Sequence, residues 1–287
     1  MMNCSCIQNE EGLTIVFCRP CAMNLEQGGD DWHRARMGSL TASRISDALA
    51  KNRQGTGPGI TRLNYQAELV CERLNGFAYE GGFQNSYMDR GKEEEDGAVK
   101  AYDLFVASRK RAESVDLEVK PIGFVQHPSI ARFGASPDRV IGNVGLLEVK
   151  NRKTNIHFEL LRSLKVPTGD VDQVLTELAC ADWAEWCDYV SYDSRAPAGC
   201  DLFVRRFYRD DHKARLAEIE ERGQEFLYEV EKLAQDLQER ALGGFIFLDR
   251  APEQKGNEIA AQLAGSLAML KPDSVVGPIK RKGKSNG

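Results

Sequence analysis

The sequence predicts an α/β fold, a central mixed β-sheet flanked by helices, and three observations predict it. Apolar residues recur at helical spacing in long segments towards both ends of the chain. Short runs rich in Val, Ile, Phe and Tyr cluster between them, one pair joined by a turn of Gly and Asn. A further helical segment divides those runs into two groups, so helix and strand alternate as in layered α/β domains.

Residues 1–24 read as an N-terminal extension. Trp32 to Gly38 lead into a helix whose N-cap is Thr41 or Ser43, with Ile45, Ala48 and Leu49 at helical spacing. The loop Asn52 to Ile60 carries Gly55, Gly57, Pro58 and Gly59, which makes it mobile or shaped for a ligand. Thr61 caps a helix to Asn75, with Leu63, Ala67, Val70 and Leu74 on one face and Gly76 as its stop. Another helix holds Met88 to Val106. β-type runs follow at Val115 to Phe124 and across a hairpin, in which Arg139-Val140-Ile141 turns through Gly142-Asn143-Val144-Gly145 into Leu146 to Lys150. A helix through Val171 to Ala181 precedes strands at Trp186 to Tyr192 and Leu202 to Tyr208. Asp210 to Leu242 is a long charged helix with Leu216, Ile219, Phe226, Val230 and Leu233 as its apolar stripe; its charges read as a solvated face. Beyond Gly243 the pattern weakens, and Lys280-Arg281-Lys282-Gly283-Lys284 form a basic tail read as disordered. One main domain, 25–242, is therefore expected between extensions 1–24 and 243–287.

A chain of 287 residues, 42% hydrophobic and 28% charged, can bury one sizeable core. It contains no apolar run long enough to span a membrane and no secretory signal, so a cytoplasmic protein is expected. The net charge of −5 constrains any nucleic-acid role. Affinity for DNA comes largely from Lys and Arg neutralising phosphates, so those groups must be gathered locally, as in a channel with acids outside.

The chemistry concentrates in the hairpin. Asp138 stands at the mouth of its first strand, and Glu148 and Lys150 share a face of the second, because side chains two apart on a strand point the same way. Two hard carboxylates beside an ammonium suit a magnesium ion that keeps several waters, one of which can attack a phosphodiester. The structural alternatives are a salt bridge of either acid with Arg139 or Arg152, and an exposed strand lysine.

Pro137-Asp138 followed by Glu148-Val149-Lys150 resembles the signature of the PD-(D/E)xK nucleases, whose core is restriction-endonuclease-like. Three further segments resemble the family of the phage lambda exonuclease and YqaJ-type viral recombinases. They are Glu26 to His33 running on through Arg36, Gly38 and Thr41-Ala42-Ser43; Arg90-Gly91-Lys92 with Glu95 and Ala98; and Gln173-Val174 ahead of Tyr192-Asp193. The resemblance covers roughly residues 25 to 235. It implies Asp138 and Glu148 as metal ligands with the Val149 carbonyl as a third donor, and Glu95 as an outer-shell or second-metal ligand. Lys150 would position and help deprotonate the attacking water or stabilise transition-state charge, and Gln173 would bond that water or a phosphate. Arg36, Ser43 and Ser136 match a pocket for a 5′-terminal phosphate, which a guanidinium fork and two hydroxyls suit. Arg53 matches an arginine near the scissile phosphate, and Met88 an apolar wedge between terminal base pairs, with a core methionine as its alternative. Trp32 and His33 read as packing residues. One departure is visible: the family's basic residue beyond the catalytic lysine has no match in register, Arg152 and Lys153 being the nearest.

The resemblance implies a Mg2+-dependent (or Mn2+-dependent) 5′→3′ exonuclease on linear double-stranded DNA that leaves 3′ overhangs for phage-type recombination. It further implies a ring-shaped homotrimer, a single-strand annealing partner and a phage or prophage origin in a bacterial host. The rivals are another PD-(D/E)xK endonuclease and a DNA-binding protein without catalysis. Among the cysteines, Cys71, Cys180, Cys187 and Cys200 read as small buried hydrophobes. Cys4, Cys6, Cys18 and Cys21 have the CxC and CxxC spacing of a zinc knuckle, the alternative being a tail with incidental thiols.

Overall fold

The computed structural model describes residues 7–8, 14–15, 19–79, 86–113 and 118–241, with backbone alone for 7–8, 14–15, 86–94 and 109–113. Two compact units divide the chain, 1–239 and 240–287. In the second, residues 242–287 lie outside the described residues, and with them the expected C-terminal tail.

The described elements are β1 (Ile7–Gln8), β2 (Thr14–Ile15), α1 (Arg19–Met23), α2 (Asp30–Arg36), β3 (Leu40–Thr41), α3 (Ile45–Ala48), α4 (Ile60–Asn75), α5 (Ser86–Glu113), β4 (Val119–Pro121), β5 (Val125–Gln126), β6 (Phe133–Ala135), β7 (Arg139–Ile141), β8 (Gly145–Asn151), α6 (Thr154–Ser163), α7 (Thr168–Cys180), β9 (Trp186–Tyr192), β10 (Leu202–Tyr208) and α8 (Lys213–Ala241). Short 3-10 turns, Ala42–Arg44 and Arg209–His212, precede α3 and α8.

The main sheet has the order β10-β9-β8-β7-β4. Only β8 and β9 run parallel, so the sheet is mixed, as expected. Alternation along β8 and β9 splits the core in two. Leu146, Cys187 and Tyr189 join a large cluster with α3, α7 and α8, whereas Leu147, Val149, Trp186 and Val190 pack with Ala98, Tyr102 and Val106 of α5. A second, smaller sheet, β3-β6-β5, lies against α8. Gly223 of α8 permits this packing, since a Cβ there would lie 3.2 Å from Phe133, and Gly134 of β6 makes room for the Phe124 ring, which a Cβ would approach to 2.1 Å. Buried ion pairs brace the main sheet. Asp188 of β9 takes both Arg206 nitrogens, at 2.7 and 2.8 Å, and the Tyr102 hydroxyl at 2.6 Å.

Several expectations need correction. Gly59, not Thr61, precedes α4, and its buried face is Arg62, Tyr65, Leu69 and Val70, with Leu74 exposed. Packing on α8 sets that face, since Tyr65 stacks on Phe226 at 5.5 Å and the Arg62 guanidinium lies 4.9 Å from the same ring. Gly76 does end α4 in the left-handed conformation (φ 72°). Trp32 sits inside a helix, α2, and not in a lead-in to one. Thr41 precedes a 3-10 turn without a side-chain capping bond, and Arg44, not Ser43, precedes α3. Residues 52–60 form a pinned turn, Asn52 holding Gly55, Gly57 and Thr56 through backbone and side-chain bonds of 2.9 to 3.1 Å. Of the four scattered cysteines only Cys180 and Cys187 are buried; Cys71 is half-buried and Cys200 exposed. Cys21 packs against the core from α1, while Cys4, Cys6 and Cys18 lie outside the described residues.

Candidate active site

The hairpin register runs one step past its ladder. Asp138 N donates to Leu147 O at 3.0 Å, and Asp138 Oδ2 accepts from Val149 N at 2.6 Å, which sets Asp138 across from Glu148. Glu148 and Lys150 share the face of β8 that looks toward α7. Lys150 Nζ lies 2.6 Å from Glu148 Oε1. Gln173, from α7, closes the group: its Oε1 accepts from Lys150 Nζ at 2.9 Å, and its Nε2 donates to Glu148 Oε1 at 2.6 Å. Neither alternative salt bridge forms, since Arg139 pairs with Glu95 at 2.9 Å and Arg152 with Asp170. Arg139 also places Glu95 beside the cluster, close enough for its charge to act on Asp138.

Burial, and then the Glu148 charge, push the Asp138 carboxyl well above the usual carboxylate range. Glu177, one turn beyond Gln173, is raised for the same reasons in the same order. Burial opposes the charge on Lys150, but Glu148, Asp138 and Glu177 outweigh it and hold the ammonium above its usual range. A carboxyl raised on folding favours its protonated form, so its penalty is absent below its unfolded value of about 4 and grows as pH rises through the folded value. In EDTA, Asp138→Asn should therefore gain in thermal midpoint over the wild type as pH rises above about 4, a comparison in which carboxyls lowered on folding, such as Asp193, cancel. A difference that does not grow with pH would contradict the crowding of Asp138 and Glu177.

A second constellation adjoins the first. Strands β3 and β6 are parallel with Thr41 opposite Gly134, so Ser43 and Ser136, each two residues on, lie at the same end of that ladder. Ser136 Oγ accepts from Arg36 NH1 at 2.9 Å and from Trp32 Nε1 at 3.0 Å. A hydroxyl has two lone pairs and one proton, so Ser136 keeps its proton to donate to a ligand. The Arg36 guanidinium lies 4.2 Å from the Trp32 ring centre, and burial lowers its pKa against the pull of Tyr65, Glu72 and Glu148. A desolvated guanidinium gains most from an incoming anion, and the influence of Glu148 puts this pocket within electrostatic reach of the acids.

Residues 31–184 match the family described as the YqaJ-like viral recombinase domain. The chain belongs to that family. Two crystal structures of the alkaline exonuclease LHK-Exo, one from Laribacter hongkongensis and one in complex with dAMP, are each 36% identical to this chain; each match covers 76% of this chain and 100% of that one, with a TM-score of 0.64. No curated protein sequence matches. The family and these relatives support a nuclease role, and the mixed sheet matches the expected PD-(D/E)xK type of core.

Other expected site residues are less closely placed in this YqaJ-like domain. Ser43 is exposed, its Oγ 3.4 Å from Thr41 Oγ1, and Arg53 projects from the pinned turn into solvent. Met88 lies in the first turn of α5, its side chain outside the described residues. Arg152 is committed to Asp170, which also accepts from Tyr189 Oη at 2.9 Å. Two contacts go beyond the expected site. Trp32 is a hydrogen-bond donor to the pocket as well as a packing residue, and Glu177 belongs to the acidic cluster; its i+4 spacing from Gln173 was the signal. Among the described residues no three His, Cys, Asp or Glu side chains are disposed as a metal cage, and no helix is long and apolar enough to cross a membrane. A cavity of about 690 Å³ behind α2 and α4, lined by Arg34, Glu72, Arg73, Phe77 and Arg132 among others, shares no residue with the acidic cluster.

Proposed function

We propose that this protein is a magnesium-dependent 5′→3′ exonuclease acting on linear double-stranded DNA and leaving 3′ overhangs. The observation that carries the reading is the joining of Asp138, Glu148, Lys150 and Gln173 into one group, with the Arg36–Ser136 pair in electrostatic reach of it. Two carboxylates, with the Val149 carbonyl, are a donor set that fits a hard ion keeping several waters, and Mn2+ fits the same set. Such an ion supplies an activated water and takes up charge on the phosphate.

The chain's own residues do the rest. Arg36, Ser136 and Ser43 hold the terminal 5′-phosphate, so the next phosphate along the strand meets the cluster. Lys150 keeps its proton and stabilises negative charge developing on that phosphate, with Gln173 holding the ammonium in place. The bond to the 3′ oxygen breaks, a mononucleotide leaves, and the shortened strand carries a new 5′-phosphate for the same pocket. Glu95 supports the metal side from α5, Arg53 lies near the scissile phosphate, and Met88 wedges the terminal base pair. The nuclease domain spans residues 25–242, the extensions being 1–24, where Cys4, Cys6, Cys18 and Cys21 are spaced for a structural zinc, and 243–287. A homotrimeric ring would gather basic groups in its channel despite the net charge of −5, and a single-strand annealing protein would use the product during phage recombination in a bacterial cytoplasm.

The test is digestion of a linear duplex with a 5′-phosphate on one strand and a 5′-hydroxyl on the other, beside the same DNA as a closed circle. Loss of the phosphorylated strand with the circle intact is expected. Cutting of the circle would mean an endonuclease, and no digestion would mean a binding protein. Magnesium should also raise the thermal midpoint of the EDTA-treated protein by about 5 °C at a hundredfold excess over its dissociation constant. A midpoint blind to magnesium would count against the metal site.

A further inference from the structure

The acidic cluster holds a carboxyl that this reading of the nuclease leaves without a task. Glu177 lies one turn beyond Gln173 on the same face of α7 and is wholly buried. Burying a carboxyl costs free energy that an apolar side chain of the same size would not, so its presence under two other acids calls for a geometric reason.

The geometry points to the amide of Gln173. That amide has two ends of similar shape and opposite polarity, and only one orientation serves the site. Its Oε1 must face Lys150 Nζ, from which it accepts at 2.9 Å. Its Nε2 has two protons: it donates to Glu148 Oε1 at 2.6 Å and to Glu177 Oε1 at 3.2 Å. Turning the amide over would set its oxygen against Glu148 and its nitrogen against an ammonium, and would break the bond that Glu177 accepts. Glu148 alone is a poor lock, because the proposed metal and Lys150 also claim its oxygens. Glu177 makes no contact with solvent, and its remaining oxygen meets the Cys187 thiol at 3.6 Å.

We infer that Glu177 is a positioning residue, which fixes the Gln173 amide and through it aims the Lys150 ammonium at the scissile phosphate. The inference rests on the nuclease reading of the cluster for its effect on rate, though not for the contact itself.

A double-mutant cycle tests it. Glu177→Leu, which fills the site without an acceptor, should lower kcat on linear duplex about tenfold while KM stays within about twofold. Glu177→Gln retains an acceptor oxygen and should recover most of that loss. In a Gln173→Ala background Glu177→Leu should have no further effect, because its influence passes through the missing amide. Equal losses in both backgrounds, or wild-type kcat in Glu177→Leu, would overturn the inference. If thermal melting shows Glu177→Leu to be poorly folded, Glu177→Ser, too short to reach the amide, takes its place. A readout without turnover separates this inference from the nuclease reading. In protein labelled with 15N-glutamine, the Gln173 side-chain amide protons should exchange slowly in the wild type and fast in Glu177→Leu. A wild type that digests no DNA would refute the nuclease reading and leave this measurement standing; unchanged exchange would refute the positioning role.

Discussion

Replacing Glu148 with alanine is expected to lower turnover of linear duplex by about a thousandfold, the scale of losing a preorganised group that meets transition-state charge. Glu148 is 4% exposed and the hub of the site: its Oε1 receives Lys150 Nζ and Gln173 Nε2, each at 2.6 Å. Its removal takes away a metal donor and the acceptor that positions both neighbours. The fold should tolerate the change. Glu148 raises the carboxyls of Asp138 and Glu177 by repulsion, so its loss relieves that crowding and offsets the lost partner of Lys150. Single-turnover rates at saturating magnesium, read beside the thermal midpoint, make the comparison. A rate loss of tenfold or less in a folded variant would remove Glu148 from the chemistry, and Glu148→Gln, which keeps the shape, should be nearly as slow as the alanine variant.

Arg36→Ala is expected to abolish the preference for a phosphorylated 5′ end, with kcat/KM on that end falling about a hundredfold and on a 5′-hydroxyl end little. The guanidinium is held on two sides, by Ser136 Oγ at 2.9 Å and by the Trp32 ring at 4.2 Å, and burial leaves it poorly hydrated. An incoming phosphate would replace the missing hydration with paired hydrogen bonds. Arg36→Lys should rescue poorly, because an ammonium cannot reproduce the planar fork or its stacking on Trp32. Side-by-side kinetics on the two ends decide the matter: equal losses on both would make Arg36 a general DNA contact or a structural residue.

Much of the fold was legible where local pattern and tertiary packing agree. Strands β9 and β10 have the expected limits, and the hairpin sets Asp138 across from Glu148 as expected, although Gly145, read as part of the turn, begins β8 and pairs with Ile141. Helix α6 was not legible, nor was the small sheet of β3, β5 and β6, whose strands of two or three residues are too short to show alternation and one of which, β3, finds its partner β6 far along the chain. The face of α4 differs from the expected one because Arg62, a charged residue, and Tyr65, with its polar hydroxyl, are buried against Phe226 of α8.

The sequence by itself determined the acids, the lysine and their common face, since a period of two along a strand needs no knowledge of the rest of the molecule. Through the family resemblance of its N-terminal motif and of the segment before Asp138, it also indicated Arg36, Ser43 and Ser136 as a group. Only the tertiary structure decided who touches whom. The parallel pairing of β3 with β6 brings Ser43 and Ser136 to one end, α7 delivers Gln173 and Glu177 to the acids, and Trp32 turns its indole nitrogen to Ser136. The Ser136 contacts join residues about a hundred positions apart and the Gln173–Glu148 contact joins a helix to a strand 25 positions away, and side-chain hydrogen bonds reach only about 3 Å, so no local pattern could have specified them.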